Sequence, residues 1–269
     1  MSGFSADWLA LREPYDRRAR NADVLNAVAD SLKGCSSIRI VDLACGTGST
    51  LRAIAPHLPS NQNWRLVDND LGLLGRALAT GRPAGVTVAT VPLDLSRDLE
   101  AVLDGPLDLV TTSALLDLVS ETWLERLATE IAARSVPLYA ALSYDGQIDL
   151  APVDPADAAI IAAVNAHQRT DKGFGPALGP AAAAVAIARF ESFGYSVAQG
   201  KSDWVIGPDD RDIQMEIFSG WASAAREIGD ASLADTVGWL TRRRDAVTAG
   251  RSSIRVGHVD IFARPMGTR

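Results

Sequence analysis

The stretch Ile40-Val41-Asp42-Leu43-Ala44-Cys45-Gly46-Thr47-Gly48-Ser49-Thr50-Leu51 joins a β-branched apolar run, a turn with two glycines and the first turn of an amphipathic helix. Strand, glycine turn and helix in immediate succession form the opening unit of a parallel sheet. The glycines allow positive φ and let a ligand approach the backbone, while the first N–H groups of the helix face the same space. A nucleotide-like guest suits that chemistry. A dinucleotide turn would need a third glycine three residues after Gly48, where Leu51 stands, and no Gly-Lys-Ser/Thr follows, so neither a pyrophosphate fingerprint nor a P-loop is written here.

Outward from this unit, short β-branched runs alternate with helical windows. Strands are expected at Ile38–Leu43, Trp64–Val67, Val86–Val91, Leu107–Thr112 and Pro137–Ser143. Between them, Leu51, Ile54, Ala55 and Leu58 make one apolar stripe, and Leu124, Leu127 and Ile131 keep the helical step after the N-cap candidate Ser120. That alternation requires a mostly parallel sheet with helices on both faces. Beyond Ser143, prolines and glycines punctuate Asp145–Pro180 around a short helix at Ala156–His167, which reads as an insertion at the sheet's rim. A helix at Ala181–Phe193, a strand at Tyr195–Ile206, two helices within Gly207–Gly250 and a closing strand at Ser253–Ala263 complete the chain. The expected organisation is one α/β domain over residues 1–269, with residues 1–36 as a helical cover and 145–180 and 207–250 as insertions over the site.

With 269 residues, 47% hydrophobic, 22% charged and 6% aromatic, the chain can bury a sizeable core. A formal charge of −7 is the opposite of a phosphate-tracking surface and disfavours nucleic acid as a partner. Cys35 and Cys45 cannot make a disulfide framework and do not look like metal ligands, which suits a reducing cytoplasm. No stretch reaches the roughly 20 apolar residues that span a bilayer. A cytoplasmic protein, monomeric or homodimeric and without metal or membrane partner, is expected.

Two further strand tips carry acids. Asp68 ends the second strand about 20 residues after Gly48, where a carboxylate can accept both hydrogens of a ribose diol; capping of the helix at Leu71–Ala79 is its competing role, and Asn69 or Asp70 could supply that cap. Asp94 and Leu95 end the third strand, an acid for an exocyclic amine and an apolar side chain for a ring face. The combination Asp42-x-x-x-Gly46-x-Gly48, Asp68 and Asp94-Leu95 resembles the class I S-adenosylmethionine-dependent methyltransferases, over roughly Ile38–Ser143 as motif and the whole chain as fold. The resemblance implies a Rossmann-like sheet of seven strands with an antiparallel last strand. It implies S-adenosyl-L-methionine as cofactor and S-adenosyl-L-homocysteine as product. Asp42, Ala44, Gly46 and Gly48 would surround the methionine part, with Cys45 and Thr47 of the same turn; Asp68, beside Asn69, would hold the ribose. Asp94 and Leu95 would flank the adenine, and Ser113 and Ala114 at the fourth strand's tip complete the set. The helical excursion before the last strand departs from the family's tight hairpin.

The fourth strand's exit should face the reactive methyl, which makes Asp117 a candidate to orient or deprotonate an acceptor, or else a helix cap. The Asn/Asp-Pro-Pro-Tyr/Phe signature of amide and exocyclic-amine methylation is missing there. His167, in a polar glycine-flanked patch, is the second catalytic candidate, whereas His57 reads as solvent-facing and His258 as packed. Arg12, Tyr15 and Arg20 could hold a carboxylate or the substrate, though Arg17, Arg18 and Arg20 also read as a solvated helix face. Tyr144, after the fifth strand, lines the pocket or makes a turn. Arg242-Arg243-Arg244 reads as a solvated face, and Trp204, Trp221 and Trp239 as core. The function expected is methyl transfer to a small-molecule acceptor by in-line displacement at O, N or C. A protein or RNA methyltransferase, a non-catalytic cofactor binder and, more weakly, an NAD-linked dehydrogenase are the alternatives.

Overall fold

The computed structural model describes residues 4–229 and 232–266, so residues 1–3 of the expected cover and 230–231 of the expected helical excursion lie outside the described residues. Its eight strands are β1 (Ile38–Leu43), β2 (Gln62–Asp68), β3 (Val86–Pro92), β4 (Leu109–Ser113), β5 (Leu138–Ala151), β6 (Tyr195–Lys201), β7 (Trp204–Ile206) and β8 (Ser253–Pro265). They form one sheet in the order β3-β2-β1-β4-β5-β8-β6, with β7 also paired to β8. The first five are mutually parallel, and β8 runs antiparallel to β5, β6 and β7. The fold is the mostly parallel, Rossmann-like sheet expected, with eight strands rather than seven. The extra strand arises because the expected Tyr195–Ile206 strand breaks at Ser202–Asp203.

The central strand β1 is buried at five of its six positions, as an apolar run between two helical layers must be. On one face α2 (Ala22–Ser31), α3 (Ser49–Ile54) and α4 (Leu71–Ala79) cover a core built on Ile38, Ile40, Trp64 and Leu66. On the other, α5 (Leu99–Val102), α6 (Glu121–Arg134) and α8 (Ala182–Ser192) pack around Val41, Leu127, Phe190 and Ile261. Ser120 caps α6 by accepting from the Trp123 N–H, the role its position suggested.

A correction falls at β5. The strand does not stop at Ser143 but continues to Ala151, across two register shifts, as a long ribbon with β8. Residues 145–151 are therefore strand, and Asp145-Gly146 is a bulge within it, with Gly146 at φ 86°. The projecting ribbon is covered by α7 (Asp157–His167), α9 (Arg211–Ile228) and α10 (Leu233–Thr248) around a third core that includes Trp204 and Trp239, with Trp221 packed against it. Arg243 corrects a second expectation: it is 1% exposed and ion-paired with Asp157, which also accepts the Trp239 indole N–H. Only its neighbours leave an opening to solvent; the middle arginine of the run faces inward to neutralise a buried carboxylate. Finally, α1 (Ala6–Ala19) lies across the carboxyl ends of the parallel strands.

Candidate functional site

A cleft of about 920 Å³ opens at the carboxyl ends of β1, β2, β3 and β4. Its floor begins with the glycine turn. Ala44 (φ 52°), Gly46 (φ 55°) and Gly48 (φ 80°) all take left-handed conformations, and Gly48 is the N-cap residue of α3. An alanine in that region carries strain that a glycine would not, and Ala114 (φ 51°) repeats it at the tip of β4. A Cβ on Gly46 would stand 3.1 Å from Leu9 Cδ1 of α1, so the turn and its cover are in close contact.

Asp68 anchors this turn from the tip of β2. Its Oδ2 accepts the Gly46 N–H at 2.8 Å and its Oδ1 the Asp70 N–H at 3.0 Å. The capping role belongs to Asp70, which accepts from Gly72 and Leu73. Each oxygen of Asp68 therefore keeps lone-pair capacity toward the cleft, which Asp68 lines. From the tip of β3, Asp94 binds Ser96 through Oδ1, an arrangement that lowers its pKa. Leu93, Leu95, Ser113 and Ala114 also line the cleft.

Of the expected cofactor set, the structure brings Ala44, Cys45, Gly46, Thr47, Asp68, Asn69, Asp94, Leu95, Ser113 and Ala114 to one cleft wall. Asp42 and Gly48 are not on that wall. Asp42 is fully buried beneath the turn, accepting from Thr111 Oγ1 at 2.8 Å; burial pushes its pKa up to about 7. A Cβ on Gly48 would meet Ala77, Arg52 and Leu66, not the cleft.

The opposite wall departs further from expectation. Asp117 sits in a helical turn, Leu116–Leu118, with Leu115 and Leu118 rather than Asp117 on the cleft. Its buried carboxyl, held by desolvation up to about pH 6, accepts a long bond from Gln168 Nε2 at 3.5 Å, and Gln168 does line the cleft. His167 lines it too, but both ring nitrogens are engaged, Nε2 with Glu227 Oε2 at 3.0 Å and Nδ1 with Lys172 Nζ at 3.3 Å. Because an ammonium only donates, Nδ1 is the acceptor and Nε2 carries the proton, which leaves no free lone pair to act as a base. Arg12 lines the cleft bound to Asp16, which also accepts from Trp204 Nε1. Arg20 and Tyr15 turn elsewhere. Arg20 is buried, donating to Tyr139 and Ser113, and so is not part of a solvated face; Tyr15 donates to Asp210. Tyr144 is buried, donating to Asn165 Oδ1. His57 is exposed, and His258 is packed between Tyr144 and Trp204, where burial lowers its pKa to about 3.

Lys172, Gln168 and Phe174 are among the cleft residues that reading the sequence did not single out. All three lie in the polar glycine-flanked patch around His167, so the segment was visible although its inward-facing members were not.

The sheet in this strand order, with a glycine turn at the tip of β1 and acids at the tips of β2 and β3, is the arrangement that the resemblance to the class I S-adenosylmethionine-dependent methyltransferases implies. Residues 40–137 match the family model described as "Methyltransferase domain". That match runs from within β1 through β4 and stops where β5 begins. Solved structures agree in fold. A cyclopropane-fatty-acyl-phospholipid synthase-like protein from Lactobacillus casei aligns at TM-score 0.55 and 16% identity over 97% of this chain and 94% of its own. The YcgJ protein of Bacillus subtilis aligns at TM-score 0.51 and 15% identity over 92% and 100%. The cyclopropane synthase MmaA2 of Mycobacterium tuberculosis aligns at 0.51 and 10% over 97% and 95%. No curated protein matches the chain in sequence. Among the described residues, no helix is long and apolar enough to cross a membrane.

Proposed function

We propose that this chain is an S-adenosylmethionine-dependent methyltransferase that acts on a small-molecule acceptor held in the cleft between the strand tips and α1. The observation that carries the reading is the cleft itself: about 920 Å³, within the range of small-molecule sites, with a cofactor wall on β1–β4 and a second wall from α1 and residues 167–174. A macromolecular acceptor would call for an open, basic rim, and the charge of −7 does not supply one.

The residues present fit the cofactor. Asp68 would take the ribose hydroxyls, Asp94 and Leu95 the adenine, and the backbone at Ala44–Thr47 with Ser113 and Ala114 the amino-acid part. S-adenosylmethionine, when bound, supplies a methyl group on a sulfonium, open to in-line displacement by O, N or C. What the chain contributes is alignment and exclusion of water. Leu9, Leu115, Leu118 and Phe174 supply the apolar walls for that. Asp117 acts through Gln168 as a positioning residue, and His167 orders the rim by joining α7 to α9 through Glu227. Both cysteines are free, Cys45 buried on the cleft wall and Cys35 exposed, which suits a reducing, cytoplasmic setting.

The test pairs calorimetric titration of S-adenosylhomocysteine with methyl-label transfer from radiolabelled cofactor into a fractionated metabolite extract. Binding with label in the small-molecule fraction supports the proposal. Label appearing only in protein or RNA would replace it with the macromolecular reading, and binding without transfer would make the chain a cofactor-binding protein.

A further inference from the structure

The acceptor wall of the cleft carries Arg12, His167 and Lys172 as its basic groups. Arg12 is spent. Its guanidinium grips Asp16 through two donors, at 2.9 and 3.2 Å, and lies over the Trp204 ring, so the pair presents no net charge to a ligand. His167 has both ring nitrogens engaged, with Glu227 and Lys172. Lys172 differs: its ammonium donates to His167 Nδ1 at 3.3 Å and to Thr170 Oγ1 at 2.9 Å, both neutral acceptors. It has no ion-pair partner among the described residues. An ammonium has three donors, so one remains.

Apart from Asp16, which Arg12 holds, the acids lining the cleft lie on the other wall. Asp68 is occupied by backbone N–H groups, Asp70 caps α4, and Asp94 holds Ser96. Glu227 on α9 is the acid nearest Lys172 in its electrostatics, yet it spends Oε2 on His167. Asp171 spends Oδ1 on the Gly173 and Gly175 N–H groups. Partial burial lowers the pKa of Lys172, and the attraction of Glu227 offsets this only in part. Beside it, Phe174 stacks edge-on against Trp123 and presents an apolar face to the same cleft.

We propose that Lys172 is the anchor for an oxyanion, a carboxylate or a phosphate, carried by the methyl acceptor on an apolar body that packs against Phe174, Leu115 and Leu118. The proposal rests on the small-molecule reading above and narrows it to an acidic substrate. The anionic group is a binding handle, distinct from the atom that receives the methyl group. His167 then has a defined purpose. By accepting from Nζ it aims the third donor, and Glu227 fixes the tautomer that allows it to accept.

The experiment uses the complex of the full chain with S-adenosylhomocysteine, so that the cofactor's own carboxylate is already placed. Ligand-observed NMR screens a mixture of small aromatic and aliphatic carboxylic acids and phosphate monoesters against their matched amides and alcohols, for wild type, Lys172→Met and Lys172→Arg. Expected hits come from the acids or the phosphates, and which arm responds names the oxyanion. Lys172→Met should weaken them by about tenfold or more, the scale of a lost charged hydrogen bond, and Lys172→Arg should restore part of it. Affinity for S-adenosylhomocysteine should stay within about twofold in both variants, which also shows that they fold. Hits drawn equally from neutral compounds, acid hits indifferent to Lys172→Met, or an absence of acid hits would overturn the proposal. A tenfold loss of S-adenosylhomocysteine affinity in Lys172→Met would overturn it as well, assigning the lysine to the cofactor. Failure of the wild type to bind S-adenosylhomocysteine would instead defeat the reading on which the proposal rests.

Discussion

Asp68→Ala separates the two jobs that the structure gives one carboxylate. Inside the protein, the change removes acceptors for the Gly46 and Asp70 N–H groups, bonded at 2.8 and 3.0 Å. Both donors lie where water can reach them, so the stability cost should be about 1 kcal/mol, a fall in Tm of about 2–4 °C for a chain of this size. Toward the cofactor, it removes the partner of the ribose diol. A hydrogen bond to a charged group is worth about 1.5–3 kcal/mol, so losing even one hydroxyl contact should raise the Kd for S-adenosylhomocysteine roughly 10- to 150-fold by calorimetry. A loosened glycine turn would also weaken binding, and a double cycle with 2′,3′-dideoxy-S-adenosylhomocysteine tells the two apart. If Asp68 holds the diol, removing the hydroxyls costs the wild type most of that factor and costs Asp68→Ala almost nothing more. Equal penalties in both proteins, or an unchanged Kd in a folded variant, would refute the ribose assignment.

Three other outcomes are expected. Gly48→Ala should lower Tm, because φ 80° costs an L-residue about 1–2 kcal/mol, yet should affect cofactor affinity less than Gly46→Ala, whose new Cβ would stand 3.1 Å from Leu9 on the cleft side. Arg243→Ala should destabilise the fold by about 3–5 kcal/mol in urea titration, since it strands the buried Asp157 carboxylate; a loss below 1 kcal/mol would mean that the carboxylate is not charged there. Asp42, with its pKa raised by burial to about 7 from 3.8, makes the native state hold a proton that the unfolded chain has released. Its contribution to stability is therefore present below pH 4 and is lost, at about 1.4 kcal/mol for each pH unit, as pH rises toward 7. The difference between wild type and Asp42→Asn should show that slope between pH 4 and 7, and a flat difference would place a charged carboxylate under the turn at every pH.

Much of the cofactor side was legible because it is local. β1 runs over Ile38–Leu43 as read, since a β-branched run ended by a glycine turn leaves little freedom in where a strand stops. The acids at the tips of β2 and β3 follow from the same spacing. The acceptor side is built by long-range pairing, which a single sequence does not display. Asp145-Gly146 carries an ordinary turn signal, yet pairing of Ile148–Ala151 with Ser253–Val256 carries the strand through it. Three consecutive arginines look solvated until Asp157, far away in sequence, reaches the middle one. Asp117 follows β4 as its position in the sequence suggests, but the Leu116–Leu118 turn buries its side chain away from the cleft. The meaning of Lys172 lies in what surrounds it, His167 and Thr170 as hydrogen-bond partners and no ion pair among the described residues, and a single sequence does not display that.

On the function proposed above, adenosine lies across the carboxyl tips of β1, β2 and β3 with the reactive methyl directed at the wall formed by α1 and residues 167–174. A crystal structure of the S-adenosylhomocysteine complex tests it most directly. The expected result is both ribose hydroxyls within hydrogen-bond distance of Asp68, the adenine amine at Asp94, and the sulfur opening toward Lys172 and Phe174. Density for the nucleoside anywhere else, or a sulfur facing solvent away from that wall, would contradict the account.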